Sequence, residues 1–593
     1  MRNNLIYILI FLLSGGLVFS QNITIDGNGT VRCPGQAVGY NEPIGLKTYY
    51  VVDNDALIEF RDTGSFTEGG TTYTPNDMSC VCTTLVSNMN SLFENKGTFN
   101  DDISNWDTSN VTNMYEMFWK ADNFNQDLGA WDTSKVENMA KMFDNADKFN
   151  NGESNSINNW DTSKVERMNL MFWGAKKFNQ PIGSWTVSSV TNMSQMFQGA
   201  KIFNQNINSW NVINVENMNA MFRGALDFDQ PLNNWDVRKV ENMGSMFRGA
   251  SDFNQPLNDW ETLSVNNINN MFRDAVNFDQ PLSNWYISGV KQLQNVFLNA
   301  TNFNQNLGDW DVSEVTTMSN MFRSVNGKFN NGGSDSIKSW VVSNVTDFKQ
   351  MFEGLEDFNQ PLNNWILKSG QNIFMRRMFK NAKAFNQPLN NWDVSNVGYG
   401  DDSINNMDQM FYGATDFSQD LSGWCVSNLA SQPTNFNTNS LMANDPAFQP
   451  RWGSACSPLV ILTDSDSDDI IGPGQSMTVT ATFDRTISGL AKYSLNNGAS
   501  YSNMSKVNSS TWNFTIAANS LAENTYNISI TATDTSSNTY DISVGTQNGN
   551  ETGVDIIQFA VDKTSPSVVL THNHPDNIVG VSDTLLITAT FNE

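Results

Sequence analysis

Between Trp106 and Trp424 the apolar positions of this chain follow two spacings in turn. The pattern is clearest in Phe228-Asp-Gln-Pro-Leu-Asn-Asn-Trp235-Asp-Val-Arg-Lys-Val240-Glu-Asn-Met243-Gly-Ser-Met246-Phe247-Arg-Gly-Ala250, where Leu232, Trp235, Val237 and Val240 come first. Alternation around Trp235 predicts a short strand with Asp236 on its solvent face. The spacing then changes to three and four, as in Val136, Met139, Met142, Phe143 and Ala146, which predicts a short helix with one apolar face. Ser134 with Glu137, and Ser163 with Glu166, match a capping box at its start. The Gly-Ala pairs Gly199-Ala200 and Gly249-Ala250 permit a turn at its end.

The unit occurs thirteen times, aligned on Trp106, Trp131, Trp160, Trp185, Trp210, Trp235, Trp260, Trp285, Trp310, Trp340, Trp365, Trp392 and Trp424, mostly at steps of 25 residues. A fixed period means one small unit stacked on copies of itself, because no copy can bury its apolar face alone. The expected fold is an α/β solenoid with a short parallel strand and a short helix per repeat, rising about 4.8 Å per copy and roughly 60 Å in all. Recurrence at every inward position assigns the tryptophans and methionines to the shared core before any ligand. The Asn and Gln of Phe-Asn-Gln-Pro are expected to satisfy backbone groups of neighbouring turns. Two longer steps carry similar inserts, Lys148-Phe-Asn-Asn-Gly-Glu-Ser-Asn-Ser-Ile157 and Lys328-Phe-Asn-Asn-Gly-Gly-Ser-Asp-Ser-Ile337, expected to bulge from one edge. A third interruption is Gly398-Tyr-Gly-Asp-Asp402.

The residue between Trp and Val carries the candidate chemistry. It is Asp107, Asp132 and Asp161, and further along Asp236, Glu261 and Asp311. Like charges stacked at strand spacing repel, so these six form an expected binding strip for a cation or a basic partner. The alternative is that each acid caps its own following helix.

Charge and chain ends narrow the partners. A formal net charge of -27 excludes nucleic acid and anionic membrane surfaces as favoured partners, leaving protein or glycan. Residues 1-20 read as a signal peptide: Met1-Arg2-Asn3-Asn4, then an apolar run from Leu5 to Phe19 that is too short for a membrane span. Secretion or display at a bacterial surface is the expected location, with no integral membrane span. Export permits disulfides. Cys425 with Cys456 would pin the C-terminal end of the stack, and Cys33 with Cys80 or Cys82 the front.

The run Trp310-Asp-Val-Ser-Glu-Val-Thr-Thr-Met-Ser-Asn-Met-Phe322 resembles the BspA-like leucine-rich-repeat surface proteins of bacteria, over about residues 80 to 456. That resemblance implies surface display, with adhesion for some members, and supplies no catalytic residues. Gly423-Trp-Cys-Val-Ser427 through Trp452-Gly-Ser-Ala-Cys456 looks like the closing unit of such proteins, which supports the Cys425 to Cys456 pairing. The organisation read from these features is an N-terminal cap at 21-92, the repeats at 93-424, a C-terminal cap at 425-456, an immunoglobulin-like β-sandwich at 457-563 and the start of a second at 564-593.

The tail assignment rests on period-2 runs such as Met477-Thr-Val-Thr-Ala-Thr-Phe483 and Trp512-Asn-Phe-Thr-Ile516. Ser457-Pro-Leu-Val-Ile-Leu-Thr463 returns as Ser565-Pro-Ser-Val-Val-Leu-Thr571, so the chain is expected to continue into further modules. Asp464, Asp466, Asp468 and Asp469 are the calcium candidates; they lack the glycine and terminal glutamate of an EF-hand and read equally as an acidic loop. No other cofactor is expected. The leading function is an adhesin-like interaction protein without catalytic residues. Its rivals are an enzyme acting on polysaccharide through solenoid carboxylates and a purely structural spacer.

Overall fold

The computed structural model describes residues 22–398 and 406–450 continuously, and segments between 452 and 591. The chain divides into two units. One holds the residues up to Pro388 with Asn396–Gln419 and Gln432–Pro446; the other holds Leu389–Ser395, Asp420–Ser431 and everything from Ala447 on.

The expected helix of each repeat does not form. Among the described residues there is one α-helix, Asn54–Thr63, and it precedes the repeats. It begins because the Asp53 side chain accepts the Ala56 N–H and ends at Gly64, whose φ of 78° turns the chain after Ala56, Leu57 and Phe60 have been buried. Inside the repeats the Met-Phe segment is built of tight turns. Met246, Arg248 and Ala250 donate their N–H groups to the carbonyls of Met243, Ser245 and Phe247, three residues back. The alternate residues Met243, Ser245, Phe247 and Gly249 donate instead to Asn267, Asn269, Met271 and Arg273 of the next coil, at 2.7–2.9 Å. Ser245 and Gly249 hold φ of 58° and 70°, and Glu116, Lys141 and Gln195 do likewise at the position of Ser245. An α-helix cannot accommodate left-handed residues at that interval. The α/β solenoid is therefore corrected to a turn-built stack, and the capping boxes at Ser134 and Ser163 have no helix to cap.

The expected strand shifts too. Around Trp235 the backbone makes turns, with the Trp235 N–H on the Leu232 carbonyl and the Val240 N–H on the Val237 carbonyl. Coil-to-coil parallel bridges lie further on, running Asn88, Asn113, Asn138, Arg167, Asn192, Asn217, Asn242, Asn267.

The core is what the spacing implied. Trp235 is 3 % exposed and Met243, Met246 and Phe247 are fully buried. Successive phenyl rings stack, Phe222 on Phe247 and Phe247 on Phe272 at 5.7 Å between centroids. Each indole N–H reaches back a coil, as from Trp210 to the Ile182 carbonyl at 3.0 Å and Trp235 to that of Ile207 at 3.1 Å. The Asn row closes the turns: Asp229, Asn254, Asp279 and Asn304 each donate a backbone N–H to the side-chain oxygen one coil earlier, at 2.9–3.0 Å. The two inserts fold into short 3-10 turns, Asn151–Glu153 with Asn155–Asn159 and Asn331–Gly333 with Ser336–Ser339. In each, a buried asparagine side chain (Asn151, Asn331) accepts the N–H of Leu128 or Leu307.

At the front, Cys33 pairs with Cys82, and Cys80 is a buried free thiol. The bridge packs with Ile23, Val31, Tyr49 and Val51. Cys425 is disulfide-bonded; Cys456 lies outside the described residues.

Past Val460 the described residues form β-strands and one 3-10 turn, Ala518–Ser520. The strands fall into two four-stranded sheets, a three-stranded sheet with one parallel pair, and a separate hairpin. Met477, Val479, Trp512 and Phe514 of the first four-stranded sheet share a core with Ile530 and Ala532 of the second. The internal duplication shows in the registers: Phe483 opposite Val460 is matched by Phe591 opposite Val568.

Because each coil is held by its neighbours, Trp235→Ala should cost about 3–5 kcal/mol. Trp235→Phe, which keeps most of the ring and loses the indole bond, should cost about 1–3 kcal/mol. Urea unfolding followed by fluorescence measures both.

Candidate functional site

Of the expected acidic strip, Asp161, Glu261 and Asp311 are exposed, Asp132 and Asp236 half-buried and Asp107 buried. Asp107 is 1 % exposed, accepts the Thr84 hydroxyl at 2.7 Å and pairs with Arg32 at 3.2 Å. Asp132, Asp161 and Asp311 each accept the backbone N–H two residues on, from Ser134, Ser163 and Ser313, at 3.0 Å. Asp236 holds Arg238 through both its backbone and its guanidinium. Bonds from Ser163, Ser313 and Arg238 keep the carboxyls of Asp161, Asp311 and Asp236 below the usual carboxylate range. Glu261 is exposed. Asp132, Asp161, Asp236 and Asp311 thus stabilise the turn that follows them, while Asp107 also ties its coil to Arg32 and Thr84.

A different row varies in chemistry from coil to coil. It is the residue after each Met-Phe pair, or after Val296-Phe297 in one coil: Trp119, Asp144, Trp173, Gln198, Arg223, Arg248, Arg273, Leu298, Arg323, Glu353, Lys380 and Tyr412. Left-handed residues stand on either side of this position, and its side chains are half-buried in most coils and buried at Asp144, Leu298 and Glu353. Its carbonyl accepts the N–H that follows its counterpart in the preceding coil, as Lys120 to Asp144, Asn145 to Trp173, Gly174 to Gln198, Gly199 to Arg223 and Gly224 to Arg248. The row is therefore continuous and in register, one residue per coil.

Its first part is aromatic and charged. Trp119 and Trp173, half-buried, are the tryptophans of the repeats that stand outside the core row, and they flank Asp144 in successive coils. The Lys120 ammonium lies 4.5 Å from the Trp119 ring centre, and that of Lys141 5.6 Å from Tyr115 and 5.8 Å from Trp119. Lys141 also pairs with Glu116 of the preceding coil at 2.8 Å. Burial pushes the Glu116 carboxyl up, but Lys141 and Tyr115 outweigh it and hold the group below its ordinary value. Asp144 is 1 % exposed, and burial pushes its carboxyl to about 7 against the opposing pull of Lys141 and of Asn145, which donates to it at 2.7 Å.

Further along, the row pairs opposite charges: Arg323 with Glu353 at 3.2 Å and Lys380 with Glu353 at 3.7 Å. Between these parts stand Arg223, Arg248 and Arg273. The reading by strand and helix missed this row, because a helix surface would scatter these positions among other polar ones. The signal was present as a site whose residue type changes from coil to coil directly after an unchanging Phe.

Among the described residues no group of three His, Cys, Asp or Glu is placed to hold a metal. Of the calcium candidates, Asp464 ends the strand Val460–Asp464, and Asp466, Asp468 and Asp469 lie outside the described residues. Residues 1–21, with the expected signal peptide, and most of the Gly398–Asp402 interruption lie outside them as well. No helix among the described residues is long and apolar enough to cross a membrane.

A sequence profile matches residues 64–156, 151–251, 228–335 and 326–448, which together cover the repeats and most of the chain. The chain belongs to the family described as Mycoplasma protein of unknown function, DUF285. No curated protein matches it. The four overlapping DUF285 matches each span about four coils, so the family's unit is a block of the same stack and includes the variable row.

Asp144→Asn should show how the row's most deeply buried acid is held. A carboxyl raised to about 7 in the folded state stays protonated while its unfolded counterpart ionises near 4, so stability is lost as pH rises from about 4 to 7. Asparagine removes that loss. The variant should gain on the wild type between pH 4.5 and pH 8, by at most about 3 kcal/mol. Urea unfolding at the two pH values measures the gain, and an unchanged difference would contradict it.

Proposed function

We propose that this protein is an exported, surface-displayed interaction protein whose repeat stack binds an extracellular protein or glycan along the row that follows each Met-Phe pair. The observation that carries this reading is the row itself. Coil after coil keeps the same core residues, while the position after the core Phe passes through indole, carboxyl, amide and guanidinium, half-buried in most coils. Selection for stacking alone places no such demand on that position, whereas recognition along a line does. Half-buried indoles at Trp119 and Trp173 offer a flat apolar face with a polar edge, the surface chemistry most enriched where proteins bind ligands.

Two further features support export and adhesion. The leader-like residues 1–20 and the Cys33–Cys82 bridge suit an oxidising compartment. The repeat sequence resembles that of BspA-like surface proteins, some of which adhere to host or matrix proteins. The β-rich segments past Val460 then serve to hold the stack away from its point of attachment.

The test is binding of the full chain to immobilised extracellular-matrix proteins and to a glycan array, beside a Trp119→Ala/Trp173→Ala variant. The expected result is saturable binding that the variant loses by at least tenfold. Silence of the wild type on both, or equal binding by the variant, would leave a structural spacer as the better description.

A further inference from the structure

Within the variable row, charges elsewhere are arranged so that a coil's charge meets its opposite in the next. Arg323, Glu353 and Lys380 alternate in sign, and in the adjoining row Glu116 meets Lys141. Arg223, Arg248 and Arg273 break that rule. They stand in three successive coils, with the phenyl rings beneath them stacked 5.7 Å apart, so their guanidinium stems are held at about one coil step. Arg273 has Asp274 at 3.3 Å. Arg223 and Arg248 have no side-chain partner among the described residues. Burial lowers the Arg248 guanidinium from its ordinary value, as do Arg223 and Arg273, against Asp274. The flanking positions are Asn219, Gly244 and Asn269 on one side and Gly224, Gly249 and Asp274 on the other. A local cationic ridge thus runs along the axis of a chain whose net charge is -27.

Stacked like charges at one coil step are a cost to the free protein, relieved by an anion that repeats at the same step. We infer that the Arg223–Arg248–Arg273 ridge binds an acidic polysaccharide carrying one carboxylate per sugar ring, a polyuronate. This rests on the reading of the row as a binding surface and names its ligand. The planar guanidinium fork matches a carboxylate with two parallel hydrogen bonds, and three in register select a linear array of carboxylates. The same line continues into the Gln198 amide and the Trp173 indole, which suit sugar hydroxyls and a pyranose face. A carrier this acidic resists dense polyanions such as nucleic acid, and one charge per ring is the sparse spacing that three arginines can offset locally.

The test is isothermal titration of the full chain with polygalacturonate, with neutral galactan and polyglutamate as comparators. The variants are Arg248→Gln, the triple Arg223→Gln/Arg248→Gln/Arg273→Gln, and Arg323→Gln, whose arginine already has Glu353. The expected result is saturable binding of polygalacturonate that weakens with salt, falls at least tenfold in Arg248→Gln, vanishes in the triple variant and persists in Arg323→Gln, with galactan unbound. Relief of repulsion should leave the thermal midpoint of Arg248→Gln no lower than that of the wild type, so the single variant decides if the triple one unfolds. Absent binding, binding retained without the arginines, or equal affinity for polyglutamate would overturn the inference. If matrix protein or neutral glycan binds through Trp119 and Trp173 while polygalacturonate does not, the ligand assignment fails and the interaction function stands. If nothing binds in either assay, both fail.

Discussion

The backbone of each coil has to find hydrogen-bond partners in its neighbours, because the tight turns around Met and Phe leave every second N–H pointing along the stack. A helix would have satisfied those groups within itself. Here Met243, Ser245, Phe247 and Gly249 depend on the next coil, and the Trp235 indole depends on the previous one. The left-handed residues make this possible, since each reverses the chain enough to present the following N–H outward along the axis. Non-glycine residues such as Glu116 and Lys141 take that conformation at a cost of about 1 kcal/mol or more each, offset by the buried rings and the inter-coil bonds they permit.

Register follows from that dependence. Once the alternate N–H groups are locked coil to coil, every position of the repeat stacks on its own kind, and the molecule becomes a set of parallel rows. Rows of Phe and Trp supply apolar burial and ring stacking, and the Asn row supplies a chain of side-chain acceptors for backbone N–H groups. In the variable row the same geometry turns each choice of charge into a choice between attraction and repulsion. The alternation at Arg323, Glu353 and Lys380 shows the first outcome and the three arginines from Arg223 to Arg273 the second.

Much of this was legible in the chain. The 25-residue step, the inward Trp, Met and Phe, and the turn-satisfying Asn and Gln all follow from recurrence, and the structure buries or bonds those residues accordingly. The secondary structure was not legible, because spacings of three and four arise equally from helix turns and from consecutive three-residue turns. Only the sign of φ at Ser245 and Gly249 distinguishes them, and residue types such as Glu116 or Gln195 give no hint of it. The acids beside the core tryptophans were visible, but their use was not: two-residue reach to a backbone N–H, as from Ser163 to Asp161, is a turn habit that a strand assignment conceals. The variable row was also visible as a position that changes from coil to coil, but its half-burial was not, because that depends on the turn geometry around Met and Phe.

Far-UV circular dichroism of the protein tests this most directly. A stack built from turns predicts that the repeats add no helical component to the spectrum beyond that of Asn54–Thr63 and of residues outside the stack. A helical double minimum strong enough for one short helix in every coil would contradict it.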